Sequence, residues 1–133
     1  MKTQSKLLFV TLILFIFPLV SLYAQAEKWE SLGIRKVNFG LDHDVIPVTY
    51  REGTFTAIKI VVRSGALNMH RCVIHFENGG KQEVELRHSF GPKSASRTID
   101  LKGNKRLIES IEFWYDSRNV RIRRATVQAF GRH

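Results

Sequence analysis

LNMHRCVIHFENGGKQEVELR, residues Leu67 to Arg87, reads as one β-hairpin and decides the fold. On its first arm Cys72, Ile74 and Phe76 recur at every second position, the period that puts side chains on one face of a strand. Asn78-Gly79-Gly80 then supplies the positive φ angles of a tight reversal. The return arm resumes the same period, with Val84 and Leu86 inward and Glu83, Glu85 and Arg87 outward. Two half-buried arms joined by a short turn form a unit that must cover its apolar face with another sheet.

Working outward, the rest of the chain repeats this pattern. Strands are expected at Ile34 to Phe39, Val45 to Tyr50, Phe55 to Arg63, Arg97 to Leu101, Leu107 to Tyr115 and Val120 to Phe130. Pro47 lacks an amide donor and places its strand at a sheet edge. Asp42-His43-Asp44 is expected to be a turn. In the clearest alternation Leu107, Ile111, Phe113 and Tyr115 share the core face while Ser110, Glu112 and Trp114 face away. The final strand changes phase, with Val120 and Ile122 even but Ala125, Val127 and Ala129 odd, which predicts a β-bulge at Arg123-Arg124. No twelve-residue segment has a helical period, so helix is limited to a turn near Lys28 to Leu32 or in the irregular His88 to Ser96 stretch. About eight short strands separated by turns predict an all-β, mainly antiparallel two-sheet sandwich, of jelly-roll topology in one variant. A small closed barrel is the alternative.

The first twenty-six residues read as an export signal. Lys2 and Lys6 precede an apolar run from Leu7 to Val20, and Ala24-Gln25-Ala26 supplies the small-residue cleavage pattern, placing the cut after Ala26. The run is short for a membrane span, and no span is expected after cleavage. One domain, 27–133, is then delivered to the periplasm or released. A single cysteine, Cys72, excludes an intramolecular disulfide, so the exported domain must rely on its apolar core. Cys72 sits in an apolar run and reads as a small hydrophobe rather than a nucleophile.

Formal charge is +9, and losing Lys2 and Lys6 leaves +7. Arg118, Arg121, Arg123, Arg124 and Arg132 follow Asp116 with no further acid. Such charge attracts polyanions. Export argues against nucleic acid as partner and for an anionic glycan, a lipid headgroup or an envelope protein, with a solvated, arginine-bearing strand edge as the other reading of the charge.

Further landmarks are Trp29-x-x-Leu32-Gly33, D-H-D-V-I-P-V over Asp42 to Val48, Phe76-Glu77-Asn78-Gly79, Ser96-Arg97-Thr98-Ile99-Asp100-Leu101-x-Gly103 and Arg106-x-Ile108-x-x-Ile111-x-Phe113. In these the chain resembles small exported bacterial β-sandwich domains of unknown function, each a signal peptide plus about one hundred residues. The resemblance implies a sandwich fold and an envelope or secreted location, and it carries no catalytic or ligand residues.

Candidate sites are few. Asp42 and Asp44 offer alternate oxygens to a hard cation, but the ligand set falls short of the six or more such an ion takes. Alternation places His70 on the face of Cys72, too few ligands for zinc. No G-x-S-x-G elbow is present. No cofactor is expected. Trp114, facing outward, with Arg121 and Arg123 of the neighbouring strand and loop residue His88, is the best constellation. An exposed Trp flanked by Arg can stack on a sugar or anchor a partner. The leading expectation is therefore a non-enzymatic binding module for an envelope glycan or protein. The alternatives are an envelope hydrolase or lyase with a loop-assembled site, and a structural subunit of an envelope assembly.

Overall fold

The computed structural model describes residues 28–37, 41–49, 52–86, 88–117 and 125–133. The expected export signal and cleavage site, Arg121, Arg123 and the expected Arg123-Arg124 bulge lie outside the described residues. Among the described residues there are ten strands: β1 (Trp29–Lys36), β2 (Leu41–Pro47), β3 (Ala57–Arg63), β4 (Leu67–Phe76), β5 (Lys81–Val84), β6 (His88–Phe90), β7 (Ser94–Ala95), β8 (Ile99–Asp100), β9 (Ile108–Ser117) and β10 (Thr126–Arg132). Every pairing among them is antiparallel, in two separate sheets. The fold is a sandwich rather than a closed barrel, with no helix among the described residues.

Two of the edges are interrupted. β5 and β6 both pair with β4, and β7 and β8 both pair with β3, so each couple is one broken edge strand. On that basis the first sheet runs β1, β10, β3, β7/β8 and the second β2, β9, β4, β5/β6. This is the strand order of a jelly roll. Pro47 sits in the edge strand β2.

Alternation explains the core. Ile58, Ile60 and Val62 of β3, Val127 and Ala129 of β10, Ile111, Phe113 and Tyr115 of β9, and Cys72 and Ile74 of β4 are buried between the sheets. The hairpin closes as its sequence predicts: Phe76 N donates to the carbonyl of Gly80 at 2.8 Å, Gly79 takes φ 88°, and Gly80 N donates to Asn78 Oδ1 at 3.0 Å.

Several expectations are corrected. Asp42-His43-Asp44 is not a turn but part of β2, because β9 offers a continuous ladder to it, from Leu41↔Asp116 to Pro47↔Ser110. Residues 29–32 are not helical but open β1, which pairs with the C-terminal β10, and His88 belongs to β6 rather than to a loop. His70 does not share the Cys72 face. The β4–β9 register slips between Met69 and Arg71, so Met69 and Cys72 both point inward while His70 and Arg71 are exposed. A bulge adds one residue to a strand, and the added residue turns His70 outward.

Candidate functional site

The outer face of the β2-β9-β4-β5 sheet is built by cross-strand neighbours. Register puts His43 of β2, Trp114 of β9 and Arg71 of β4 in one row. His43 stacks on Trp114 with ring centroids 4.9 Å apart, and the Arg71 guanidinium lies 4.6 Å from the Trp114 ring centre. His43 and Arg71 come from the strands on opposite sides of β9, so Trp114 is held between an imidazole and a cation.

The next row is ionic. Glu112 takes His43 Nε2 on one carboxylate oxygen at 2.5 Å and His75 Nε2 on the other at 2.8 Å. These hydrogen bonds, that from His75 first, hold the Glu112 carboxyl below the usual range. Arg71 Nε donates to Glu83 Oε1 at 2.8 Å, which keeps Glu83 low and raises Arg71. At the bulge, His70 Nε2 meets Asp116 Oδ2 at 2.7 Å, and Asn68 Nδ2 donates to the same oxygen at 3.3 Å.

Beside this lattice lies a depression of about 200 Å³ lined by His70, Arg71, Glu83, Val84, Glu85 and Leu86. It forms where two irregularities coincide: the β4 bulge at His70 and the break between β5 and β6. Val84 and Leu86 are buried with their side chains in the core, so the charged side chains exposed around it set the character of its surface. Bulges re-aim side chains at such points.

A second depression, of about 220 Å³, is lined by Thr54, Phe76, Glu77, Asn78, Lys105, Arg106 and Leu107. Arg106, however, is committed to the fold: it donates to Lys102 O at 2.6 Å and Asn78 Oδ1 at 3.3 Å, and lies 3.7 Å over the Phe76 ring. At the same end His133 stacks on Phe55 at 4.4 Å and joins Glu30 at 2.5 Å, tying the C-terminus down.

The residues expected to form the site are distributed as follows. Trp114 faces outward on β9, half-buried by its neighbours. Arg121 and Arg123 lie outside the described residues. His88 pairs with Met69, which also pairs with Tyr115, so it shares the Tyr115 side of the sheet and is separated from Trp114. Asp44 accepts a 2.7 Å hydrogen bond from Tyr115 Oη. Among the described residues no group of His, Cys, Asp and Glu is placed to hold a metal. Burial pushes the Cys72 thiol up to about 12, which suits a packing residue and not a nucleophile. Arg71, Glu83 and His70 were missed as a group: Glu83 and Glu85 were legible as outward-facing, but their β4 neighbours are set by a bulge.

The opposite sheet presents a different surface. Lys59 Nζ sits 4.3 Å from the Trp29 ring centre and the Arg132 guanidinium 5.6 Å from it. Arg63 Nη1 donates to Gln128 Oε1, and Gln128 in turn donates to Ser31.

No curated protein and no solved structure matches the chain. A family model described as a domain of unknown function, DUF2541, matches residues 7–131, and the chain belongs to that family.

Proposed function

We propose that the chain is an exported, non-enzymatic module that binds a sugar chain of the cell envelope at the depression beside Trp114. The observation that carries this reading is a fixed polar wall, Arg71 held by Glu83, next to His70 and Glu85 at the depression. A pyranose has the matching surface, a hydroxyl edge for that wall. Hydroxyls donate to the carboxylates of Glu83 and Glu85 and accept from the terminal N–H groups of Arg71. Hydrogen bonds to ionised groups are the stronger kind.

Trp114 acts here through Arg71. Its ring supports the guanidinium and Glu83 fixes Nε, so the wall is ordered before a ligand arrives. Preorganisation of this kind lowers the entropy lost on binding. Jelly rolls include lectin domains, a fold-level analogy in the same direction. Proton-transfer chemistry is less well served. Arg71 keeps Glu83 ionised, so at neutral pH it has no proton to donate, and His70 is engaged by Asp116. The export half of the proposal rests on the Met1 to Ala26 pattern.

The test is calorimetric titration of the exported chain with polysaccharides purified from the envelope. Binding that weakens about tenfold or more in Arg71→Ala, the loss of one charge-assisted contact, supports the site. Trp114→Phe should weaken binding less and Trp114→Ala more. Unchanged affinity in Arg71→Ala, or capture of an envelope protein in place of any glycan, overturns the reading.

A further inference from the structure

The outer face of the β1-β10-β3 sheet carries a second binding surface, and we propose that it takes an acidic polysaccharide. These three strands contain the cations Arg35, Lys36, Lys59, Arg63 and Arg132 and a single acid, Glu30. Glu30 is engaged by His133 at the end of the sandwich. Arg35 is also spent, since its Nε donates to Val45 O of β2 at 2.8 Å. Register places the others on the outer face: Trp29 beside Arg132, Phe130 beside Lys59, Ile34 and Val61 on either side of Gln128, and Lys36 and Arg63 on either side of Thr126.

Asp100 on edge strand β8 lies 3.6 Å from Arg132 and is itself 84% exposed. Lys59 and Arg63 have no carboxylate partner among the described residues. Trp29, Phe130 and Val61 are half-exposed between these cations, and Ile34, at 52% exposure, is the exposed large hydrophobic of the described surface. The other outer face pairs its carboxylates with His and Arg, so the two outer faces differ in composition.

Spacing selects the kind of anion. Lys59 and Arg63 lie on one strand four residues apart, about 13 Å at 3.3 Å per residue. One small anion cannot bridge that span, whereas a chain with regularly repeated carboxylates can meet both. Trp29 and Phe130, interleaved with the cations, give its sugar rings apolar surface, and Lys59 seated on Trp29 keeps its charge at the ring.

The experiment measures binding of the exported full-length domain to polygalacturonate, with neutral dextran and phosphatidylglycerol vesicles in parallel. Expected is binding to polygalacturonate that disappears at about 1 M salt, where the screening length falls to ~3 Å. Lys59→Ala with Arg63→Ala should weaken it about tenfold, the loss of two surface charge contacts. Lys59→Arg with Arg63→Lys keeps the charges and should keep the binding, which separates charge from any loss of folding. Lys81→Ala, an exposed cation on the other sheet, should leave this binding unchanged, and the Trp114 site is read separately by its own envelope-polysaccharide titration, so the two failures are told apart. Equal binding to dextran, binding to the vesicles alone, or an unaffected Lys59/Arg63 double variant overturns the proposal.

Discussion

Gly131→Ala tests whether the last strand approaches Phe55 as closely as the packing requires. An added Cβ would lie 2.5 Å from Phe55 Cδ1, 2.8 Å from Cε1 and 3.1 Å from Cγ. Carbon atoms rest comfortably at about 3.5 Å, so the ring would have to retreat by about 1 Å. It has little room to do so. Phe55 is fully buried, its ring is backed by His133 at 4.4 Å, and its backbone is bound in both directions to Arg106 at 2.9 Å. Overpacking of this kind costs about 1–3 kcal/mol. The lower entropy of an unfolded Ala returns about 0.4–1 kcal/mol. A net loss of about 1–2 kcal/mol is expected, read as a lower urea midpoint with an unchanged m-value. Phe55→Leu in the Gly131→Ala background relieves the clash, so the two changes should couple by at least about 0.5 kcal/mol. A Gly131→Ala variant as stable as the parent, or strictly additive losses in the double variant, would refute the packing.

Three further outcomes are expected. Cys72 should resist DTNB in the native protein at pH 8 and react fully in denaturant, because its thiol is buried and raised to about 12; prompt native labelling would contradict this. Tyr115→Phe removes the 2.7 Å hydrogen bond to Asp44 and should cost about 1–3 kcal/mol by thermal or urea unfolding, since it leaves a part-buried acceptor short of a donor. Glu112 has a folded pKa below its unfolded value, so its contribution is complete above the unfolded pKa of about 4.3 and is lost as pH falls through the lower folded value. Glu112→Gln should therefore flatten the acid limb of the stability–pH curve, while an acid limb identical to the parent's would count against the His75–Glu112–His43 bridge.

The fold was legible where alternation is long and both faces differ. Ile111, Phe113 and Tyr115 against Glu112 and Trp114 define β9 with its correct faces, and Asn78-Gly79-Gly80 marks the hairpin. Legibility failed where tertiary pairing overrides local chemistry. Asp42 and Asp44 have turn composition, yet β9 holds them in a strand, and Trp29 to Leu32 becomes a strand because β10 lies beside it. The site was half legible. Trp114's outward direction follows from period two, but its partner Arg71 depends on a bulge that His70 does not announce. His88 was misassigned for a related reason, since one residue of register decides which face a strand residue occupies. The cationic face of the first sheet escaped notice because its members come from three strands far apart in sequence.

The pairing of β1 with β10 also orders events in time. Trp29 lies beside Arg132, so the first strand has its ladder partner at the far end of the chain. β10 in turn joins β1 to β3, and the first sheet has no centre until it arrives. Contacts this distant in sequence slow folding, because the loop must close before any of them forms. The first sheet therefore stays open until its last strand pairs. The topology itself makes closure of that sheet one of the last events of folding.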